Sequence, residues 1–425
     1  MRLFANFRSP WLVALVFVLV GCARPYRGLE RCPPAGIAPD YVSMLGELER
    51  SPLAERERDR LLYLMEKGAL LHEAGSWGES NAVLEEAERL SEELFTRSLS
   101  REGLSFITND LLLPFVGEDF EAAAINYYKA LNYLALVDLD AARVECRKVD
   151  EKLNYFFDSY GGRNVFKESP WLRLLTGLIY EAQGEFNDAF IAYRKSLVAY
   201  QELRQRYRVD VPDLLWERLV VSARRSGLLV EARDYEAQAR DLGIPLLPAQ
   251  AYVAVVVNAG LIPVKVEGAV FVPSPQGYPV KIAWPRFISR SCSAQPPAVA
   301  LNGQYPVPTQ QVESLDAIAR QSLEDRKGRT IVKLMTRAVS KQVAAYQAER
   351  ELGPLAGLTA QIAALLTENA DLRGWTTLPG AIWLALLPVE PGGHQVAVHA
   401  SGQEALSRAV TVGRGSIGFV VARIY

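Results

Sequence analysis

Cys22 is the residue with chemistry closest to hand. It stands behind the apolar run from Trp11 to Val20 and Gly21, and Arg2 and Arg8 give the segment a positive start. That order is a secretory signal, with a thiol where the cleavage site would end. Ten apolar residues are too few for a membrane-spanning helix, which takes about 20. Cys32, Cys146 and Cys292 are far apart and lack C-x-x-C spacing, so no metal site is expected. An exported compartment permits one disulfide among them, and the sequence does not choose the pair. Cys146 falls in a helical pattern and reads as a buried small hydrophobe. The histidines are His72, His394 and His399; the last two are five apart and point to opposite faces of a strand. No G-x-S-x-G elbow accompanies them, so a serine triad has no motif. Gly413-Arg-Gly415-Ser-Ile-Gly418 fits G-x-G-x-x-G, but a dinucleotide fingerprint must open a helix. The run from Phe419 to Tyr425 reads instead as a strand, so the glycines are expected in a turn. No cofactor is expected, and the chain reads as a non-enzyme.

The elements that must position such residues fall into two halves. Residues 23–39, with four prolines and two glycines, read as a tether with an extended reach of about 55 Å. Residues 40–245 carry helical periodicity and a repeat. Gly68, Ser80 and Ala87 share their spacing with Ala130, Ala142 and Val149, with Gly177, Ala189 and Ser196, and with Val220, Ala232 and Ala239. Steps of 12 and then 7 residues fit the tetratricopeptide template, in which small side chains let paired helices approach. The units are unevenly spaced, which predicts a short helical repeat solenoid with decorated turns, the longest insert running from Ser105 to Phe120.

Residues 246–425 change to strand-like runs: Tyr252 to Val257, Val264 to Val272, Val280 to Trp284, Ala381 to Leu387, Gln395 to His399, Ala409 to Val412 and Phe419 to Tyr425. Residues 309–371 return to helix, with breaks expected at Gly328 and at Gly353-Pro354. Pro391-Gly392-Gly393 reads as a hairpin turn. The expected fold class is α+β: a TPR-like helical solenoid, then an α+β domain with a mainly antiparallel sheet. The aromatic terminal strand also occurs in outer-membrane barrels, which need at least eight alternating strands; the helical half rules that out.

Two groups of side chains could bind a partner. Asn126, Lys129 and Asn132 recur every three residues beside Tyr127, Tyr128 and Tyr133, as a polar and aromatic stripe suited to a peptide or as a seam bonded within the fold. Arg373 and Trp375 read as a recognition loop or as a latch in which Asp371 pairs with Arg373 and Trp375 packs on the sheet. The net charge of −2 becomes more negative when Arg2 and Arg8 leave with the signal. That argues against nucleic acid as a partner.

Leu19-Val20-Gly21-Cys22 resembles the lipobox of bacterial lipoproteins, which implies that residues 1–22 are a signal peptide and that Cys22 is acylated. Ala23, rather than Asp, resembles lipoproteins sent to the outer membrane. Tyr127-Tyr128-Lys129-Ala130-Leu131-Asn132-Tyr133-Leu134 with Asp138, Ala142 and Arg143-Val144-Glu145 resembles the helix pair of an uncharacterised bacterial tetratricopeptide-like lipoprotein family. So do Asn258-x-Gly260-x-x-Pro263-Val264-Lys265-x-Glu267 and Ala370-Asp371-Leu372-Arg373-Gly374-Trp375-Thr376-Thr377-Leu378-Pro379, where Gly374 replaces an expected serine. The resemblance implies an outer-membrane-anchored protein of unknown activity, found beside other small lipoproteins. The expectation is a lipid-anchored scaffold or adaptor, held at the periplasmic face of the outer membrane, whose helical surface binds periplasmic or outer-membrane proteins, other lipoproteins among them. The alternatives are a cell-wall-active enzyme or direct peptidoglycan binder, and a structural subunit of a multi-lipoprotein assembly.

Overall fold

Small residues decide how the N-terminal helices pair. The computed structural model describes residues 32–33, 39–100, 110–159, 168–246, 249–273, 279–290, 292 and 295–425; Cys22, most of the tether and part of the Ser105–Phe120 insert lie outside them. After α1 (Tyr41–Glu49) and α2 (Pro52–Glu55) come four helical hairpins among the described residues: α3 (Arg60–Glu73) with α4 (Trp77–Ser100), α5 (Asp119–Ala135) with α6 (Leu139–Ser159), α7 (Pro170–Ala182) with α8 (Phe186–Tyr207), and α9 (Asp213–Arg225) with α10 (Leu229–Asp241). These are the expected TPR-like units, and all twelve positions are buried, the ten held by Gly, Ala or Ser as well as Val149 and Val220.

The 12-residue step spans the two helices of a hairpin. Ser80 Oγ donates to Gly68 O at 2.7 Å. A Cβ on Gly68 would stand 2.4 Å from Leu84, and one on Gly177 would stand 2.3 Å from the ring of Tyr193. Seven residues after each first small position the chain turns through the left-handed region: Gly75 (φ 80°), Val137 (φ 62°), Gly184 (φ 80°) and Gly227 (φ 76°). Glycine does this without strain, whereas a β-branched side chain does not.

The C-terminal half contains strands β1 (Ala251–Ala259), β2 (Val264–Pro273), β3 (Pro279–Ile288), β4 (Ala298–Leu301), β5 (Val307–Pro308) and β6 (Gln310–Ser314). Helices α11 (Leu315–Leu352) and α12 (Pro354–Thr367) come next, then β7 (Ala381–Val389), β8 (Gly392–Ala400), β9 (Gln403–Val412) and β10 (Ile417–Ile424). The first sheet has the order β10-β1-β7-β6, the second β5-β4-β8-β9, and β2-β3 is a separate ribbon. Among the described residues all pairings are antiparallel except β1 with β10, which is parallel.

Strand β1 is buried on both faces, from Ala251 to Asn258. Tyr252, Ala254 and Val256 pack toward the helices, while Val253, Val255 and Val257 pack against Val396 and Val398 of the second sheet. The body therefore has three layers: helices, sheet, sheet. The first helices of three hairpins lie on the first sheet, through contacts such as Tyr127 of α5 with Asn258, Ser169 at the head of α7 with Glu313, and Tyr252 with Glu217 of α9, while α3 meets the segment before β7 through Glu66 and Thr376.

Three expectations are corrected. Pro391-Gly392-Gly393 is not a hairpin turn, because β7 and β8 belong to different sheets and the chain crosses between layers there. Gly328 does not interrupt α11, which runs unbroken to Gly353; a single glycine costs only about 1 kcal/mol in a helix. The helical insertion begins at Leu315, since 310–314 is strand β6. Gly413 and Gly415 stand in the link from β9 to β10, and Gly418 lies within β10, where it pairs with Val253.

Val137 is 81% exposed, so its backbone strain is offset by no packing. Val137→Gly should raise stability by about 1 kcal/mol, seen as a higher urea midpoint with an unchanged slope; a lower midpoint would show that the turn is unstrained.

Candidate functional site

Helix α5 begins with a capping box: Glu118 N donates to Glu121 Oε2 at 2.7 Å, and the Glu118 side chain accepts from the third helical amide. Every residue from Asp119 to Asn132 is buried, so its polar side chains must be satisfied inside the protein. On the side facing α4 and α6 they form a charged seam. Lys129 Nζ reaches Glu85 and Glu88 at 2.6 Å and Glu145 at 3.1 Å. Asn126 Nδ2 donates to Glu88 at 2.8 Å and Glu145 at 2.7 Å, while its Oδ1 accepts from Lys152 at 2.9 Å. Asn132 donates to Ser80 and Asn81, both at 2.9 Å, and its Oδ1 lies 2.6 Å from His72 Nδ1.

Burial works to raise the Glu88 carboxyl, but Lys152, Lys129 and Asn126 prevail and hold it at about 2. Lys129 is raised: its carboxylates outweigh a burial that works the other way. Lys152 is lowered, chiefly by burial. The seam opens at its far end into a groove of about 490 Å³ between α4 and α6, lined by Glu88, Phe95, Lys148, Lys152, Tyr155 and Phe156 among others.

On its other side α5 meets the sheet. Tyr127 OH donates to Asn258 Oδ1 at 2.8 Å, and the Tyr128 ring stacks on Trp375, centroids 5.5 Å apart. The segment before β7 is latched into the helices. Arg373 binds Asp371, Asp59 and the carbonyl of Leu113. The amide of Trp375 donates to Glu121 at 2.6 Å and its indole N–H to Thr377 at 2.9 Å; the amide of Thr376 donates to Glu66 at 2.6 Å. Burial raises the Glu66 and Glu121 carboxyls. Nearby, Glu118 binds Lys265 at 2.7 Å and Arg326 at 2.6 Å; these cations overcome its burial and hold it at about 2.

The three sequence blocks, 127–145, 258–267 and 370–379, thus meet in one buried junction. Asn126, Tyr127, Lys129, Asn132 and Trp375 are each at most 4% exposed, and the Arg373 side chain is 14% exposed and fully engaged. The binding stripe and the recognition loop are corrected accordingly: both are internal, a seam and a latch. Gly374 has a local reason, since a Cβ there would sit 3.2 Å from Glu121 Oε1.

Two features escaped sequence reading. Cys32 is bridged to Cys292, with Cα atoms 5.2 Å apart, a separation that suits a disulfide; Cys146 is buried and its thiol is pushed up to about 12 by burial. Glu313, inside the stretch read as helix, is buried with its carboxyl raised to about 7 by burial. It accepts from Ser169 Oγ at 2.5 Å, the same hydroxyl that accepts from Leu172 N and caps α7. His394 bonds the carbonyl of Glu390 and faces Asn302. Among the described residues no group of three or more His, Cys, Asp or Glu is placed to hold a metal.

No protein-family model and no curated protein matches this chain. Among solved structures it is similar to BtubC (BKLC) from P. vanneervenii, at 15% identity and a TM-score of 0.32, over 48% of this chain and 70% of that one. It is also similar to TPR-like repeats from Podosopora anserina described as a kinesin light chain: 15% identity in each case, with TM-scores of 0.30 and 0.31. Those matches span 48% and 56% of this chain and 86% and 97% of the other.

Removing Lys129 strands buried carboxylates. Lys129→Ala should cost about 3 kcal/mol in urea unfolding, and Lys129→Met nearly as much; full stability in the methionine variant would show that only packing matters. For Glu313 the folded carboxyl titrates near 7 and the unfolded one near 4.3. The wild type therefore loses stability as pH rises through that window, by about 4 kcal/mol. Glu313→Gln keeps an acceptor for Ser169 and does not ionise, so it should match the wild type at pH 4 and exceed it at pH 8. Parallel stability curves would show that Glu313 does not titrate in that window.

Proposed function

We propose that this chain is an exported, lipid-anchored scaffold of a bacterial envelope, held to the outer membrane through Cys22 and engaging partner proteins from the periplasmic side. The observation that carries this reading is the Cys32–Cys292 bridge. Disulfides persist in oxidising compartments, and this one ties the body to the chain just behind a signal-like segment and its cysteine. It also sets how far the lipid can stand from the body: nine residues lie between Cys22 and Cys32, a span of about 35 Å when extended.

The TPR-like hairpins are compatible with a protein-binding scaffold. Their inner row is covered by the chain's own sheet, so we place the partner surface on the outer row of helices, where the groove beside Lys152 and Tyr155 opens.

In bacteria expressing the full chain and fed an alkyne fatty acid, the wild type should take the label and partition into detergent. Cys22→Ser should do neither and keep its fold. Under denaturing, non-reducing conditions the exported wild type should expose Cys146 alone to maleimide, with Cys32 and Cys292 joining it after reduction. Labelling of the serine variant, or free Cys32 in the exported protein, would overturn the reading.

A further inference from the structure

Helix α11 carries more apolar surface than its own chain covers. Leu315, Ile318 and Ala319 anchor its first turns in the core, and none of its described residues beyond Ala319 belongs to that core. Further along, one arc is buried, with Leu334, Arg337 and Ala345, and Arg337 and Lys341 reach Glu368 from it. A second arc carries Ile331, Val332, Met335, Val339, Val343 and Tyr346, each between 44% and 63% exposed. A helix with one buried and one wet face needs a single apolar arc, so the second marks a contact surface.

Spacing selects what covers it. Val332 and Met335 stand 7 and 4 residues before Val339, and Val343 and Tyr346 stand 4 and 7 after it. The row reads the same in both directions. Two copies of one surface related by a twofold axis need that property, because residue i must meet j while j meets i. With two α11 helices antiparallel about an axis at Val339, Val332 meets Tyr346 of the other copy, Met335 meets Val343, and Val339 meets its own counterpart. The smaller side chain faces the larger in the outermost pair. Steps of 3, 4, 4 and 3 residues average the 3.5-residue repeat that keeps two helices in register at a shallow crossing. A foreign helix or a lipid surface asks for no such mirror spacing.

Charge and area agree. The charged residues between Val332 and Tyr346 are Lys333, Arg337 and Lys341, and helical phase puts all three outside the apolar row. Pairing therefore sets no like charges face to face. The six half-exposed side chains offer on the order of 600 Å² of apolar surface per copy, about 1,200 Å² for the pair, which clears the roughly 1,000 Å² of a specific interface. Because the helix starts in the core, antiparallel pairing sends the two bodies to opposite ends of the row. We infer that this chain forms a homodimer through α11, two copies pairing antiparallel along Val332 to Tyr346 about a twofold axis at Val339. Neither the lipid anchor nor the groove on the outer row enters this pairing.

A thiol on the axis meets its own counterpart, and a thiol off the axis does not. In bacteria expressing the full chain and oxidised with copper–phenanthroline, the Val339→Cys variant should give a disulfide-linked dimer on a non-reducing gel. The yield should be at least tenfold above the wild type, whose own cysteines set the background. Val332→Cys alone should stay at background, since its counterpart lies about 21 Å away along the row; adding Tyr346→Cys should restore the link. Met335→Glu with Val343→Glu, added to Val339→Cys, changes only exposed positions and should lower the link at least tenfold with an unchanged circular dichroism spectrum. Absence of the link in Val339→Cys, equal linking by Val332→Cys alone, or linking indifferent to the two glutamates overturns the inference. If the Val339→Cys thiol is unlinked and also shielded from a water-soluble maleimide in cells, the face belongs to an occupant of another kind.

Discussion

Helix α5 has no exposed face along Asp119 to Asn132, and the rest of the structure is arranged around that constraint. A helix carrying two asparagines and a lysine can be enclosed only if each polar group finds a partner, because an unpaired buried charge costs several kcal/mol. The outer helices supply Glu85, Glu88 and Glu145 to Lys129, and the sheet side supplies Asn258 to Tyr127. The seam gives specificity more than stability. It allows α4, α5 and α6 one register, since a slip by a turn would leave several charges unmatched.

The same enclosure changes what the helical repeat is for. Solenoids of paired helices stack their neighbours and leave an inner surface open to ligands. Here that surface receives strands β10, β1, β7 and β6, and the latch of Arg373, Trp375 and Thr376 closes the arrangement. The sheet is the ligand of the repeat, joined covalently. The surfaces that the repeat leaves open face outward, and they vary between units because inserts separate them.

The local pattern made much of the fold legible. Small residues at steps of 12 and 7 mark all four hairpins because helix approach is a short-range steric matter. β-branched runs mark β1 and β10 because those strands are buried or half-buried. Short, mixed strands such as Gln310 to Ser314 carry no such signature, and their placement depends on β7 and on Ser169, 144 residues away. Lys129 and Arg373 were visible as candidates, yet the same residue types suit a solvent-facing stripe and a buried seam. Only the carboxylates brought to Lys129 from α4 and α6, and to Arg373 from the turn before α3, distinguish these.

The signal-like segment and its cysteine, the order of helices then strands, the hairpin repeat and the net charge could all be read from the residues alone, because each is a property of neighbours along the chain or of composition. Folding was needed to bring Cys32 to Cys292, to gather three separated motifs into one junction, to fill the inner face of the repeat, and to leave the arc of α11 from Ile331 to Tyr346 uncovered. Those outcomes depend on which distant surfaces bury one another. Burial and charge compensation are sums over all contacts, and no local spacing records them.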